Sequence, residues 1–145
     1  MSSPCLMLYQ NILGEQAPYQ AFVGGMGGFP AHRHADLEFS YALSGEFSVL
    51  LDGVLHTVRE GELLLVAPMV SHEIPASYDP ARRVLTVVLG SSLLREDFAP
   101  FSGGSPCVPV IRPSDERDGG ELTAALERAA ALAEHPKNLC YNSIF

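Results

Sequence analysis

His32, Arg33 and His34, followed by Glu38, are the residues of this chain best suited to chemistry. A neutral imidazole offers a nitrogen lone pair and a carboxylate offers oxygen. Two histidines and a glutamate brought to one point therefore make a donor set for Zn, Mn, Fe or Ni. Positions 32, 34 and 38 share parity. In one extended strand their side chains would lie on a single face, together with Ser40 and Ala42. His72, at the start of a later strand just past Pro68, is placed to add a fourth ligand from a neighbouring strand. The same groups have a second reading. His32, His34, Glu38, Ser40 and His72 would also be expected together if they lined a wet pocket and hydrogen-bonded a small organic ligand. No nucleophile elbow or Asp-Ser-His arrangement accompanies them, so no catalytic residue is assigned. His56 and His135 are expected to be exposed and without a role.

The elements that must position these residues read as strand after strand up to residue 112. Cys5 to Ile12 and Tyr19 to Met26 are candidate strands, separated by a turn around Gly14 to Pro18. The run Gly24-Gly25-Met26-Gly27-Gly28 lacks the ending of a phosphate loop and reads as a flexible bend. Asp36 to Leu43 alternates, with Leu37, Phe39, Tyr41 and Leu43 on one face and Asp36, Glu38, Ser40 and Ala42 on the other. Asp52-Gly53 is a two-residue hairpin signal between Phe47 to Leu51 and Val54 to Val58. Leu63 to Ala67, His72 to Ala76, Arg82 to Leu89 and Cys107 to Ile111 complete the strands, with a turn of helix expected at Ser91 to Phe98. Turns every eight to twelve residues imply an all-β sandwich or barrel, residues 1–112.

Residues 113–145 form a second, helical segment. Asp118 and Glu121 can make a capping box, despite Gly119 and Gly120 between them. Leu122, Ala125, Leu126, Ala129, Leu132 and Ala133 recur at helical spacing, with Glu127, Arg128 and Glu134 on the other side, and Pro136 ends the helix. A stripe mixing Ala with Leu would let two helices approach closely, so a homodimer through this helix is expected. Tyr141 to Phe145 reads as the start of an element the sequence does not complete.

Bulk properties narrow the partners. A formal charge of −8 from 9 basic and 17 acidic residues gives no surface for neutralising phosphates, so this segment is not expected to contact nucleic acid. No apolar run approaches the roughly 18 residues of a membrane span. The first twenty residues lack the basic start of a signal peptide. The three cysteines, Cys5, Cys107 and Cys140, are scattered and read as reduced thiols of a cytoplasmic protein.

His32-x-His34-x3-Glu38-x6-Gly45 resembles the first motif of the cupin superfamily, and Gly61-x6-Pro68-x3-His72 resembles the second. The resemblance implies a double-stranded β-helix, the jelly-roll barrel, followed here by the C-terminal helix. It also implies His32, His34, Glu38 and His72 as metal ligands. The second motif departs in detail: Pro68 stands one place late, and Met69 and Val70 occupy the place of the Gly that usually follows it. The run Phe29 to His34, then Glu38 to Glu46, and Gly61 to Pro68 continuing to Ile74, is similar to the N-terminal regulatory domain of AraC-type transcription regulators. That branch implies a barrel that binds a small-molecule effector, helices that dimerise, and two C-terminal helix-turn-helix units. The 145 residues contain no such units, so a truncated regulator is expected. Small metal-dependent cupin enzymes, isomerases or dioxygenases, share much of the same run and imply the alternative function.

Overall fold

The computed structural model describes residues 8–9, 19–90, 93 and 108–134. The strands are β1 (Leu8–Tyr9), β2 (Tyr19–Gly24), β3 (Phe29–Arg33), β4 (Leu37–Ser44), β5 (Phe47–Leu51), β6 (Val54–Val58), β7 (Leu63–Val66), β8 (His72–Ile74), β9 (Arg83–Leu89) and β10 (Val110–Ile111). One 3-10 turn, Pro113–Asp115, leads into helix α1, Gly119–Ala133. Two five-stranded sheets result, with orders β1-β3-β8-β5-β6 and β10-β7-β4-β9-β2. The pairings are antiparallel except β1 with β3. From β2 to β5 the chain changes sheet at every connection, which is how a jelly roll closes.

The interior between the sheets is apolar. Phe47, Val49 and Leu51 from β5, Val58 from β6 and Ile74 from β8 meet Ala42, Leu64, Val66 and Val84 from the second sheet. The alternation read in β4 holds: Glu38, Ser40 and Ala42 are buried on one face, while Tyr41, with Phe39 and Leu43, joins a second core on the other. That second core lies outside the barrel, where Leu63, Leu85 and Val87 pack against Leu126, Ala130 and Ala133 of α1. The second sheet is thus covered on both faces. This explains why Val84 to Leu89 reads as a nearly continuous apolar run rather than an alternating one.

Local chemistry sets the turns. Asp52 and Gly53 have φ of 45° and 82°, the pair of left-handed residues that a tight hairpin requires, and Leu51 and Val54 pair across them. Ala67 to Val70 closes a turn with Pro68 leading and Met69 at φ 66°, and Val70 N–H donates to Ala67 O at 3.2 Å. Met69 therefore takes the backbone shape that a glycine would take.

The helix begins differently from the expected capping box. Asp118 is the N-cap, yet its side chain makes no capping hydrogen bond. Instead α1 starts hard against the 3-10 turn. A Cβ on Gly119 would lie 1.5 Å from Pro113 O, so the glycine that weakens the helix is required by this close approach. The buried stripe is also rotated from the one expected. Leu126, Ala130 and Ala133 face the barrel and Gly119 is buried against the 3-10 turn, whereas Leu122 and Leu132 are exposed. Arg83 on β9 and Glu134 form an ion pair that ties the end of α1 to the sheet. The strand expected at Cys5 to Ile12 is described only at Leu8–Tyr9. The helical turn at Ser91 to Phe98 and the element at Tyr141 to Phe145 lie outside the described residues, apart from Leu93.

Candidate metal centre

The sheet arrangement brings four sequence-separated side chains together. His32 on β3 and His72 on β8 are direct register partners in the first sheet. Glu38 lies on β4 of the second sheet. His34 stands in the short connection between β3 and β4, just before the bend at Ala35 and Asp36. The expectation that residues 32, 34 and 38 share one face of one strand is therefore incorrect. The chain leaves the first sheet after Arg33 and enters the second at Leu37, and the donors converge because the two sheets face each other.

All four residues are buried, His34 to 1% exposure. One donor atom from each lies within 4.8 Å of all the others. The rings of His32 and His72 have centroids 3.9 Å apart, those of His34 and His72 4.9 Å. Phe29 stands edge-on to His32 at 4.4 Å and forms a wall beside it.

The hydrogen bonds decide which nitrogens are available. His32 Nδ1–H donates to Pro30 O at 2.9 Å, His34 Nδ1–H to Asp36 O at 3.0 Å, and His72 Nδ1–H to Val70 O at 3.0 Å. A carbonyl only accepts, so each Nδ1 carries hydrogen and each neutral ring keeps its lone pair on Nε2. His34 Nε2 lies 2.8 Å from Glu38 Oε2. Two bare acceptors do not sit at that distance, so a proton or a metal cation belongs between them. His72 Nε2 lies 3.3 Å from the same oxygen, near enough for charge attraction, but it is buried and without a hydrogen bond. An orphaned imidazole nitrogen aimed at a buried carboxylate is what a ligand set looks like without its ion. The three nitrogens and one carboxylate therefore fit a divalent transition metal, which would be held by His32, His34, Glu38 and His72.

Electrostatics follow from burial and pairing. Burial, with repulsion from His72, pushes His32 from 6.5 down to about 4, so its lone pair is free at neutral pH. Burial alone would raise the Glu38 carboxyl. Its bond to His34 and the neighbouring His72 outweigh that and hold it well below the usual carboxylate range. Burial would lower His72, but the Glu38 carboxylate prevails and raises it.

Residues 19–88 match the family model for the cupin domain. These residues are a cupin domain. They contribute four strands to each of the two facing sheets, the barrel architecture the motifs led one to expect, and the donor cluster lies between the sheets. Among solved structures, the chain is similar to a protein of Neisseria meningitidis, with 24% identity, 52% of this chain and 78% of that one covered, and a TM-score of 0.43. A RmlC-like cupin of Shewanella frigidimarina aligns at 28% identity, over 56% of this chain and 71% of that one, with a TM-score of 0.41. The oxalate decarboxylase of Bacillus subtilis, a protein with Mn(II) centres, aligns at 24% identity over 43% of this chain, with a TM-score of 0.37. The aligned segment covers only 18% of that decarboxylase chain. No curated protein matches the chain.

Ser40, expected among the ligand-binding residues, is buried on the same inner face but is not one of the four donors. Its hydroxyl meets Thr86 Oγ1 at 3.2 Å. Two residues escaped the sequence reading. Thr86 is the one hydroxyl within the apolar run of β9, and that interruption was its signal. Arg82 is buried just before β9 and donates to Gly25 O, Met26 O, Glu46 O, Ser77 O and Ser77 Oγ at 2.6–3.2 Å. All five guanidinium hydrogens are used to join three loops at the barrel end remote from the metal ligands.

Proposed function

We propose that this cupin domain binds a divalent transition metal through His32, His34, Glu38 and His72 and uses it to hold a small-molecule effector in the barrel. In this reading it is the ligand-sensing domain of an AraC-type transcription regulator, with DNA contacts supplied by a part outside these residues. The observation that carries the metal-centred reading is the set of three Nδ1–carbonyl bonds, which leave three Nε2 atoms facing one buried carboxylate. The regulator assignment is supported by the wording of the two motif regions and by a helix packed outside the barrel, where it is available to relay or dimerise. A two-fold dimer would use the exposed flank of α1 that includes Leu122 and Leu132. Among the described residues, no helix is long and apolar enough to cross a membrane.

The chain's own contribution is positional. Backbone carbonyls orient the imidazoles, Phe29 walls off one side, and the sheets keep water away from Glu38. A bound metal would supply Lewis acidity and a coordination place for an oxygen ligand. The second reading, a small metal-dependent enzyme, is favoured by the completeness of the donor set. One experiment separates them. Metal-loaded protein is screened by thermal shift against sugars, sugar acids and small aromatic acids, and each hit is then incubated and analysed for products. A sensor stabilises and returns its ligand unchanged. Turnover of the hit contradicts the sensor reading and supports the enzyme.

A further inference from the structure

The inner face of the second sheet carries one more polar feature. Ser40 on β4 and Thr86 on β9 are register partners, both buried, with their hydroxyl oxygens 3.2 Å apart. Around them the inner face is apolar, with Leu64 opposite Ser40 and with Ala42 and Val84 one inward position further on. Two hydroxyls own two hydrogens, and the bond between them uses one. Among the described residues neither side chain has another hydrogen-bond partner. One buried donor is therefore left without a partner among the described residues.

The position of the pair relates it to the metal ligands. Ser40 is the next inward residue after Glu38 on β4. Thr86 is the next inward residue to Val88, which pairs with Glu38 across the strands. At about 3.3 Å per residue, the hydroxyl row lies roughly 7 Å from the carboxylate row. Charge then narrows the ligand. Three neutral imidazoles and one carboxylate around a divalent cation leave one buried positive charge, which an anionic ligand would cancel.

We infer that the Ser40–Thr86 pair is a second anchor for the ligand of this barrel, and that the ligand is a small hydroxy carboxylic acid. Its carboxylate faces the His–Glu cluster, and its distal oxygen accepts the spare hydroxyl hydrogen. The inference rests on the metal-centred reading above and adds to it a ligand class and a residue, Thr86.

The test uses a matched pair of acids, 3-hydroxypropionate and propionate, titrated calorimetrically into the metal-loaded chain. Wild type is expected to bind the hydroxy acid about five- to tenfold more tightly, the worth of one hydrogen bond to a buried donor. The double substitution Ser40→Ala with Thr86→Val should erase that preference while metal content and propionate affinity stay as in wild type. Thr86→Ser keeps a hydroxyl and should retain the preference. Equal affinity of wild type for the two acids overturns the inference and leaves the metal reading standing. So does failure to bind either acid, or a preference that survives the double substitution. A wild-type chain that takes up no metal overturns the metal reading first, and the inference with it. The wild-type comparison needs no variant, so it decides even where a substitution prevents folding.

Discussion

His32 and His72 sit directly opposite one another on β3 and β8, with ring centroids 3.9 Å apart and both Nδ1 atoms tied to backbone carbonyls two residues away. Two imidazoles this close repel when both are charged, and the barrel gives them little water. The pair therefore keeps at least one ring neutral, and coordination through both Nε2 atoms requires the second to give up its proton as well.

The first prediction follows from that demand. In metal-free protein His32 is shifted from 6.5 to about 4. Between those values the unfolded chain holds a proton that the folded chain refuses, so stability rises with pH across that window and is lost as pH falls. Glu38 acts in the same direction at lower pH, because its folded value is depressed below its ordinary 4.5. His72 acts oppositely. Its folded value is raised, so its contribution is complete below 6.5 and fades as pH rises through that folded value. Urea midpoints of metal-free protein should fall as pH drops from about 6.5 toward 4, and His32→Gln should flatten that slope. A slope unchanged by the substitution would contradict the assignment to His32.

Arg82 gives a prediction about the fold alone. Arg82→Met would leave the carbonyls of Gly25, Met26, Glu46 and Ser77 without their donor. Gly25, Glu46 and Ser77 are exposed and Met26 is half-buried, so water can replace part of the lost donor set, and a loss of about 1–3 kcal/mol is expected from chemical denaturation. Arg82→Lys should fare little better, since an ammonium cannot span the same fork. A lysine variant as stable as wild type would show that charge alone, rather than the five-way bond pattern, holds these loops.

Much of the fold was legible because its signals are local. The Asp52-Gly53 hairpin and both flanking strands follow from turn chemistry and alternation, and the structure places β5 and β6 at the residues expected. The four donors were also legible by type. Their geometry was not. Parity within a strand is a local rule, and nothing local marks the change of sheet at Ala35 and Asp36. The stripe on α1 was misjudged for a similar reason. Helical spacing locates apolar residues, but the rotation that buries Ala130 and exposes Leu132 goes with non-local contacts, the close approach of Gly119 to Pro113 and the packing of Leu126 on the second sheet. Met69 was read as a departure from the motif, yet its φ of 66° preserves the turn that a glycine would make.

That last point is testable. A left-handed conformation costs a non-glycine residue about 1–2 kcal/mol, and glycine's extra freedom when unfolded takes back about 0.4–1 kcal/mol. Met69→Gly should therefore stabilise the protein by up to about 1.5 kcal/mol, and Met69→Val should destabilise it. Met69 N–H donates to His34 O at 2.7 Å, so metal content should remain unchanged in the glycine variant if the turn is preserved. A less stable glycine variant would contradict the account of this turn.

The helix separates two roles. Leu126 is buried against the outer face of the second sheet, so Leu126→Ala should cost about 2–5 kcal/mol without changing metal stoichiometry. Leu122→Glu with Leu132→Glu changes exposed positions, so the barrel should stay folded by circular dichroism. If the exposed flank forms the proposed dimer, light scattering will show the double variant at monomer mass and wild type at twice that mass. A monomeric wild type at high micromolar concentration contradicts the dimer.

The central claim is that His32, His34, Glu38 and His72 together hold a metal, and elemental analysis of protein prepared without chelator tests it most directly. About one equivalent of Mn, Fe, Ni or Zn per chain is expected, with affinity weakening as pH falls and protons compete for the imidazoles. The double substitution His32→Ala with His34→Ala should abolish uptake while the barrel remains folded. Wild-type protein that carries no metal, and takes up none when each ion is added at neutral pH, would contradict the claim.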